Sequence, residues 1–383
     1  MIREVAIVGV GWSPFRSITP DVSYKEMMYE AAVRAYEDAG IDPRRDVDSF
    51  VTVAEDFIEG TSIFDEYVPD QLGALHRPVQ TITGDGIHGL AAAVMQILTG
   101  QFDVVVVEAH SKASNVLTLP YIIAYAMDPV FNRPLAAHPY FIAGMEMQRY
   151  LVETETPREA CARVVVKNRR NALFNPLAGY GAAITIADVL ASEPVAEPLT
   201  RLECAGHADG AVVFVLASGE TARALTDGPI WVRGIGWAND TFWLESRAWG
   251  QATYAYLAAQ MAYRTAGIKS PRSEIDFAEI DDTFAYKELQ HLEALGFCRP
   301  GEAGLWALEG GTELSGEFPV NPSGGSLGLG HLLDATGLSR VLEVVLQLRG
   351  EAGQRQVEDA EVGLAFGWRG VPTTGGAAVI LSN

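Results

Sequence analysis

The sequence predicts an α/β protein made of two copies of one layered unit. Three observations carry this. Ala35-Tyr36-Glu37-Asp38-Ala39-Gly40-Ile41 is echoed by Ala262-Tyr263-Arg264-Thr265-Ala266-Gly267-Ile268, and each string is followed by an aspartate, Asp48 or Asp276, and a strand-like run. Each half carries a glycine-rich loop that opens a helix, at 84–89 and 324–331. Uninterrupted apolar runs such as Val104-Val105-Val106-Val107 read as strands covered on both faces. Two units with covered sheets stack as layers.

The elements follow in order. Residues 5–9 form a buried strand that ends at Gly9 and Gly11. The third glycine of a dinucleotide fingerprint is missing, and Trp12-Ser13-Pro14-Phe15 stands where its helix would open. A helix spans 24–39 and stops at Gly40, glycine being the usual residue just past a helix end. Strands are expected at 48–53, 79–83, 104–109 and 209–217, with a helix at 90–98 after the turn Gly84-Asp85-Gly86-Ile87-His88-Gly89. Between about 110 and 205 the pattern breaks into Pro, Asn and aromatics, with helices at 145–150 and 157–171. Lys167, Arg169 and Arg170 there form a basic cluster: either a solvated helix face or a contact for a ligand phosphate. Residues 219–228 read as a linker. It separates an N-terminal half, 1–225, carrying the insertion at 110–205, from a C-terminal half, 226–383.

Composition narrows the function. The 383 residues are 48% hydrophobic and carry 49 Asp+Glu against 28 Lys+Arg, a net charge of −21. A nucleic-acid role needs a basic face and is excluded. No apolar run approaches the ~20 residues of a membrane span. Met1-Ile2-Arg3-Glu4-Val5 runs straight into a strand with no signal peptide, so a soluble cytoplasmic protein is expected. Cys161, Cys204 and Cys298 are widely spaced and odd in number. They make neither a disulfide framework nor a CxxC metal site, and no metal is expected.

The densest signal is Asn321-Pro322-Ser323-Gly324-Gly325-Ser326-Leu327-Gly328-Leu329-Gly330-His331, followed by Leu332-Leu333-Asp334-Ala335-Thr336-Gly337. Glycine lets backbone or ligand come close. A single histidine closes the loop just before a helix at 338–349. This pattern reads as a tight active-site loop.

At these residues the chain resembles the thiolase superfamily, in its sterol-carrier-protein-type branch. The resemblance rests on the opening strand with Pro14-Phe15, on Lys167 to Ala172 with Asn175-Pro176, on Asp209-Gly210-Ala211, and on Asp281-Asp282-Thr283-Phe284-Ala285. It is closest from Asn321 to Gly337 and through Gln347-Leu348-Arg349-Gly350 and Ala352 to Gln356. It implies a duplicated five-layered αβαβα thiolase fold with a loop-domain insertion, a homodimer, and coenzyme A thioesters as substrates, with no cofactor bound beyond the coenzyme A of the substrate. Gly86, Asp281, Asn321, Gly325 and Gly330 are the positions it implies for substrate or coenzyme A binding.

The departures concern the chemistry. Family members open the first helix of the site with a nucleophilic cysteine, and here Gly86 holds that position. The second family cysteine, near the C-terminus, is also missing: that turn reads Gly367-Trp368-Arg369-Gly370. The three cysteines present read as small buried residues. His331 matches the histidine of the Gly-His-Pro motif, but Leu332 replaces its proline and Asp334 a glycine. An acyl-CoA site without the nucleophile can still stabilise an enolate. Cysteine-less members of this branch are similar to retro-aldolases that shorten steroid side chains, use tyrosines as acid/base groups and work with a small zinc-ribbon/OB-fold protein.

The resemblance therefore implies an acyl-CoA C–C bond lyase acting on a β-hydroxyacyl-CoA. His331 would hold the thioester oxygen, and Tyr286, Asp282 and His88 are the candidates for moving the proton. Each has a structural alternative: Tyr286 as a core residue, Asp282 as a helix cap, His88 as a donor at a helix start beside Asp85. His76, His110, His138, His207 and His291 carry no context that marks them. Two other functions fit: a non-catalytic acyl-CoA-binding scaffold, and a thiolase with a relocated nucleophile. The aromatic stretches 57–75 and 113–145 suit an apolar pocket or a partner surface, and steroid, aromatic and short-chain acyl groups remain equally open.

Overall fold

The computed structural model of the chain describes residues 3–60, 63–370 and 374–383. Met1 and Ile2 of the opening run, Thr61 and Ser62, and the side chain of Phe57 lie outside the described residues.

Each half builds the same unit. The first contains β1 (Val5–Trp12), α1 (Tyr24–Ala39), β2 (Ser49–Val53), β3 (Val79–Ile82), α2 (Gly86–Leu98) and β4 (Val104–Lys112). The insertion then carries α3 (Pro139–Thr154) and α4 (Arg158–Ala172), and β5 (Asp209–Ser218) closes the half. The second contains β6 (Ile230–Asn239), α5 (Thr253–Ala266), β7 (Phe277–Glu279), α6 (Ala285–Ala294), α7 (Thr336–Leu348), β8 (Val362–Arg369) and β9 (Gly375–Ser382). The segment expected as a linker is helical over Gly219–Leu225, so the chain crosses between halves through an ordered turn of helix.

The strands join in the order β3-β2-β4-β5-β1-β6-β9-β8-β7. That order is symmetric about the β1–β6 contact, where Ala6 faces Trp231 and Ile7 faces Ile230. On one side β4 is parallel to β2 and antiparallel to β5. On the other β8 is parallel to β7 and antiparallel to β9. The counterpart of β3 is reduced to one parallel bridge, Val320 to Ala278.

The repeated string has a physical purpose. Gly40 and Gly267 cap α1 and α5 in the left-handed conformation. Tyr36 and Tyr263 each donate a hydroxyl hydrogen bond at 2.7 Å to a distant carbonyl, of Leu72 and Leu295. The aspartate that follows accepts the backbone N–H groups at the start of the neighbouring strand: Asp48 those of Asp103 and Val104, Asp276 those of Glu361 and Val362. A further repeat accompanies it. Gly9-Val10-Gly11-Trp12 on β1 is matched by Gly234-Ile235-Gly236-Trp237 on β6. A methyl at Gly9 would sit 2.6 Å from the Ala39 Cβ, and one at Gly236 2.7 Å from the Ala262 nitrogen. These glycines let an alanine-lined helix lie directly on its strand.

Three apolar cores follow from this stacking. One lies under α1, one around α2 and α7 between the strands of the two halves, and one under α5 and the insertion. The layers are therefore αβαβα, with α2 and α7 in the middle.

The two central helices meet end to end at Asp85. Its carboxylate accepts the Ile87 N–H of α2 at 3.1 Å and the Gly337 N–H of α7 at 2.7 Å. Two helix N-termini place like partial charges together, and a carboxylate offsets both. A side chain at Gly337 or Gly367 would collide with that carboxylate. In Asp85→Asn one of these N–H groups faces an amide donor instead of an acceptor. The expected cost is about 1–3 kcal/mol, read as a lower denaturation midpoint; an unchanged midpoint would contradict this role.

Candidate active site

The N-terminal end of the central helices opens into a cleft of about 950 Å³, its mouth included. Four segments line it: Gly84 and Asp85 before α2, His331, Leu333 and Asp334 before α7, Thr283 and Phe284 before α6, and Trp368, Arg369 and Gly370 at the end of β8. Glu55 and Ile58 close one side. Ile123, Ala126, Pro139, Tyr140 and Ala205 of the insertion, with His207 just after it, cover the top. The walls are mostly apolar, as suits an acyl chain.

His331 is the sequence-expected residue that lines this cleft. Its backbone is locked by Gly206 and Ala208, with His331 N donating to the Gly206 carbonyl at 2.7 Å and Ala208 N donating to the His331 carbonyl at 2.9 Å. The His331 Nδ1 accepts the Leu333 N–H at 3.2 Å. Nδ1 therefore carries no proton, and the neutral ring bears its hydrogen on Nε2. Burial, then the neighbouring His207, pushes the His331 pKa down to about 3. The ring is therefore held as a neutral N–H donor. His207 stands edge-on to it, with ring centroids 5.8 Å apart.

The other expected residues sit behind the wall. His88 turns back on its own loop, with Nδ1 3.2 Å from the Asp85 carbonyl, and burial lowers its pKa to about 4. Asp282 is fully buried, accepting Asn168 Nδ2 at 2.8 Å and the N–H groups of Ser326 and Leu327 at 2.6 and 3.1 Å. It caps the short helical turn Gly325–Leu329 rather than its own helix. Asp281 is paired with Arg340 at 2.9 Å; against burial, Arg340 together with His291, His331 and the Thr283 N–H keeps its carboxyl below the usual range. Tyr286 is buried and donates to Glu146 at 2.8 Å, within a cluster where Lys287 also reaches Glu146 at 2.7 Å. Phe284 and Trp368 lie between that cluster and the cleft.

The glycine-rich loop is built for close backbone packing. Asn321, at φ 51°, accepts the Ile280 N–H at 2.8 Å through its side chain and donates to Glu288. Gly325 and Gly330 have φ of 56° and 110°, open to glycine at low cost. Gly324 and Gly328 press on Ala172 of α4. Asn321, Gly325 and Gly330 are not cleft-lining residues. Two members of the basic cluster are likewise spent internally: Lys167 on Glu288 at 2.8 Å, Arg170 on Glu313.

Gly86 is the decisive position. A Cβ there would lie 2.6 Å from the Leu338 Cγ and 2.8 Å from the Leu338 nitrogen. The position that the family resemblance assigns to a nucleophile is packed against Leu338 with no room for a side chain. The three cysteines do not replace it: burial pushes Cys204 and Cys298 up to about 12 and Cys161 further.

Four cleft residues had passed unmarked in the sequence. Glu55 and Asp334 face each other across the floor, with Asp334 Oδ2 accepting the Glu55 N–H at 3.0 Å. Arg369 pairs with Glu55. His207 was set aside for lack of context. Asp334 gave a signal, as an acid in a glycine position of the family motif.

The sterol-carrier-type relatives enter here. This duplicated αβαβα architecture with its site at two helix N-termini is the thiolase fold. Residues 239–383 match the family described as Thiolase C-terminal domain-like. Acetyl-CoA acetyltransferase of Methanothermobacter thermautotrophicus is 34% identical over 99% of both chains. Sterol carrier protein 2 of Oryctolagus cuniculus is 29% identical over 99% of this chain and 71% of its own. The solved Ltp2-ChsH2(DUF35) aldolase superposes with a TM-score of 0.85 at 28% identity, over 99% of this chain and 97% of that one. The chain belongs to the thiolase superfamily, in its sterol-carrier-protein-type branch.

Two outcomes are expected. Gly86→Cys lowers the melting temperature and gains no acyl adduct on incubation with an acyl-CoA; a stable variant that acylates would show that the position has room. The second concerns pH. Burial raises Glu279 to about 8 and Glu293 to about 7, and Glu108 and Glu59 hold His110 protonated against burial. In each case the folded state keeps a proton that the unfolded chain has released, so stability falls as pH rises through these values. The melting temperature should drop by roughly 5 °C from pH 6.5 to 8.5; a rise over that window would contradict the assignment.

Proposed function

We propose that the protein is an acyl-CoA C–C bond lyase of the retro-aldolase type. It cleaves a β-hydroxyacyl-CoA to a shorter acyl-CoA and a ketone or aldehyde, together with a small zinc-ribbon/OB-fold partner. One observation carries this reading: the site keeps a fixed neutral donor, His331, while the nucleophile's place at Gly86 is filled by Leu338. The chain retains what an enolate needs and lacks what an acyl-enzyme needs.

His331 Nε2–H is assigned to the thioester oxygen, where preorganised donors often contribute the largest share of catalysis. The central helix N-termini, oriented through Asp85, favour the same developing charge. Tyr286 and Asp282 act from behind, Tyr286 by bracing Phe284 and Trp368 and Asp282 by fixing the loop that delivers His331. His88 is placed to orient the Gly84–Asp85 turn rather than to touch substrate. The name of a similar solved protein, an aldolase that couples Ltp2 to ChsH2(DUF35), supports both the lyase reading and a partner. The acetyltransferase name of another relative favours acyl transfer, but that chemistry needs a nucleophile for which Gly86 leaves no space. Tyr121, Tyr125, Phe131 and Phe141 of the insertion are exposed and suit the partner, whereas Tyr140 lines the cleft.

The test is to express the chain with such a partner, offer a panel of β-hydroxyacyl-CoA esters and follow ketone or aldehyde release by mass spectrometry. Turnover that survives iodoacetamide is expected, and His331→Ala should lower kcat about 10²–10³-fold. A folded, acyl-CoA-binding complex that cleaves no ester would overturn the lyase reading in favour of a scaffold.

A further inference from the structure

A retro-aldol cleavage needs a group that takes the proton of the β-hydroxyl and returns one to the α-carbon. We propose that Glu55 and Asp334 together are that group, an inference that rests on the lyase reading above.

Both side chains line the cleft and both are buried, at 4% and 9% exposure. They come from opposite halves of the chain: Glu55 from the loop after β2, Asp334 from the turn that leads His331 into α7. The Asp334 Oδ2 accepts the Glu55 backbone N–H at 3.0 Å, which fixes the aspartate beside the glutamate. Arg369, at the end of β8, pairs with the Glu55 carboxylate. His331 stands three residues from Asp334 on the same turn. The pair and the oxyanion donor therefore line one cleft, as a substrate reacting at its β-oxygen and thioester carbonyl requires.

Charges on every element around the pair set its protonation. Behind it Glu59, next along the Glu55 segment, and Glu108 on β4 flank His110 at 3.3 and 3.0 Å, with Tyr24 and Phe64 stacked on the ring faces at 5.3 Å. Asp85, just before α2, and Arg369, at the end of β8, line the same cleft, and His88 sits behind them, turned back on the Asp85 carbonyl. Burial, then Glu55 and Glu59, raises Asp334 well above its ordinary value, and burial outweighs Arg369 in raising Glu55. Asp334 is thus the carboxyl that keeps its proton, and Glu55, paired with Arg369, is the one that carries the charge. The pair with one proton and one negative charge is both a base and an acid, and Arg369 keeps the charge on Glu55.

The step balances without a co-reactant. The Glu55 carboxylate takes the hydroxyl proton, the oxygen's electrons form the carbonyl, and the Cα–Cβ bond breaks. Its electron pair becomes the thioester enolate held by His331 Nε2–H. The pair then delivers a proton to Cα, and the acyl-CoA leaves with the pair restored to its starting charge. The Thr283 hydroxyl, buried at the cleft wall with no partner among the described residues, is placed to receive a polar group of the substrate.

The test uses the intact chain with its partner. Glu55→Gln and Asp334→Asn keep shape and remove the proton function. Each should lower kcat for β-hydroxyacyl-CoA cleavage by about 10²–10³-fold, with KM changed only a few-fold and the far-ultraviolet dichroism unchanged. Exchange of the α-proton of a simple acyl-CoA in D₂O should be lost in both variants, a readout that does not require the right β-substituent. Arg369→Gln removes the positive charge from Glu55 and should move the acid limb of kcat/KM to higher pH, a shift that a purely structural role would not produce. Wild-type cleavage retained in both carboxamide variants would overturn this assignment and leave the lyase intact. Absence of both cleavage and exchange in the wild type would overturn the lyase reading itself, and this assignment with it.

Discussion

Asp85 is the contact on which the site depends. Two helices of thirteen residues each end at its carboxylate, one from each half of a duplicated chain. Without a negative group their N-termini would meet as like dipole ends in a buried space. With it, the duplication gains an axis, the central layer closes, and the four loops that carry functional side chains converge on one cleft. Burial raises Asp85 only to about 6, so at neutral pH it is ionised and does this work. The glycines around it, at 86, 337 and 367, exist to admit it and the crossing helix.

The same packing bears on the proposed chemistry. Leu338 occupies the space that a side chain at position 86 would need, which supports a reaction without covalent capture of the acyl group. What remains is polar and preorganised: a neutral histidine donor, a carboxyl pair and the helix ends. Charged side chains gather on the cleft floor, where Glu55, Asp334 and Arg369 meet. A thioester enolate is a charge that such a site can stabilise without a bond to the protein.

Much of the fold was legible because its repeats are local. The AYxxAGI string encodes a helix end, a tyrosine tether and an aspartate that starts a strand, all within fifteen residues. The Gly9-Val10-Gly11-Trp12 echo was overlooked because glycine pairs invite a nucleotide reading, whereas here they admit a helix against a strand. The site was less legible because its contacts are not local. Asp85 and Gly337 are 252 residues apart, and Glu55 and Asp334 are 279 apart. Asp282 and Tyr286 are four residues apart in sequence, but α6 begins at Ala285, so the two residues do not share a helix face. His331 was found because its motif is contiguous.

The account stands on acyl-CoA chemistry without a covalent intermediate. Intact-mass spectrometry of the chain, quenched during turnover of a β-hydroxyacyl-CoA, tests this most directly. The account predicts an unmodified protein mass while the ester is being cleaved. An acyl adduct on Cys161, Cys204 or Cys298 that forms and decays with turnover would contradict it and restore the acyltransferase reading.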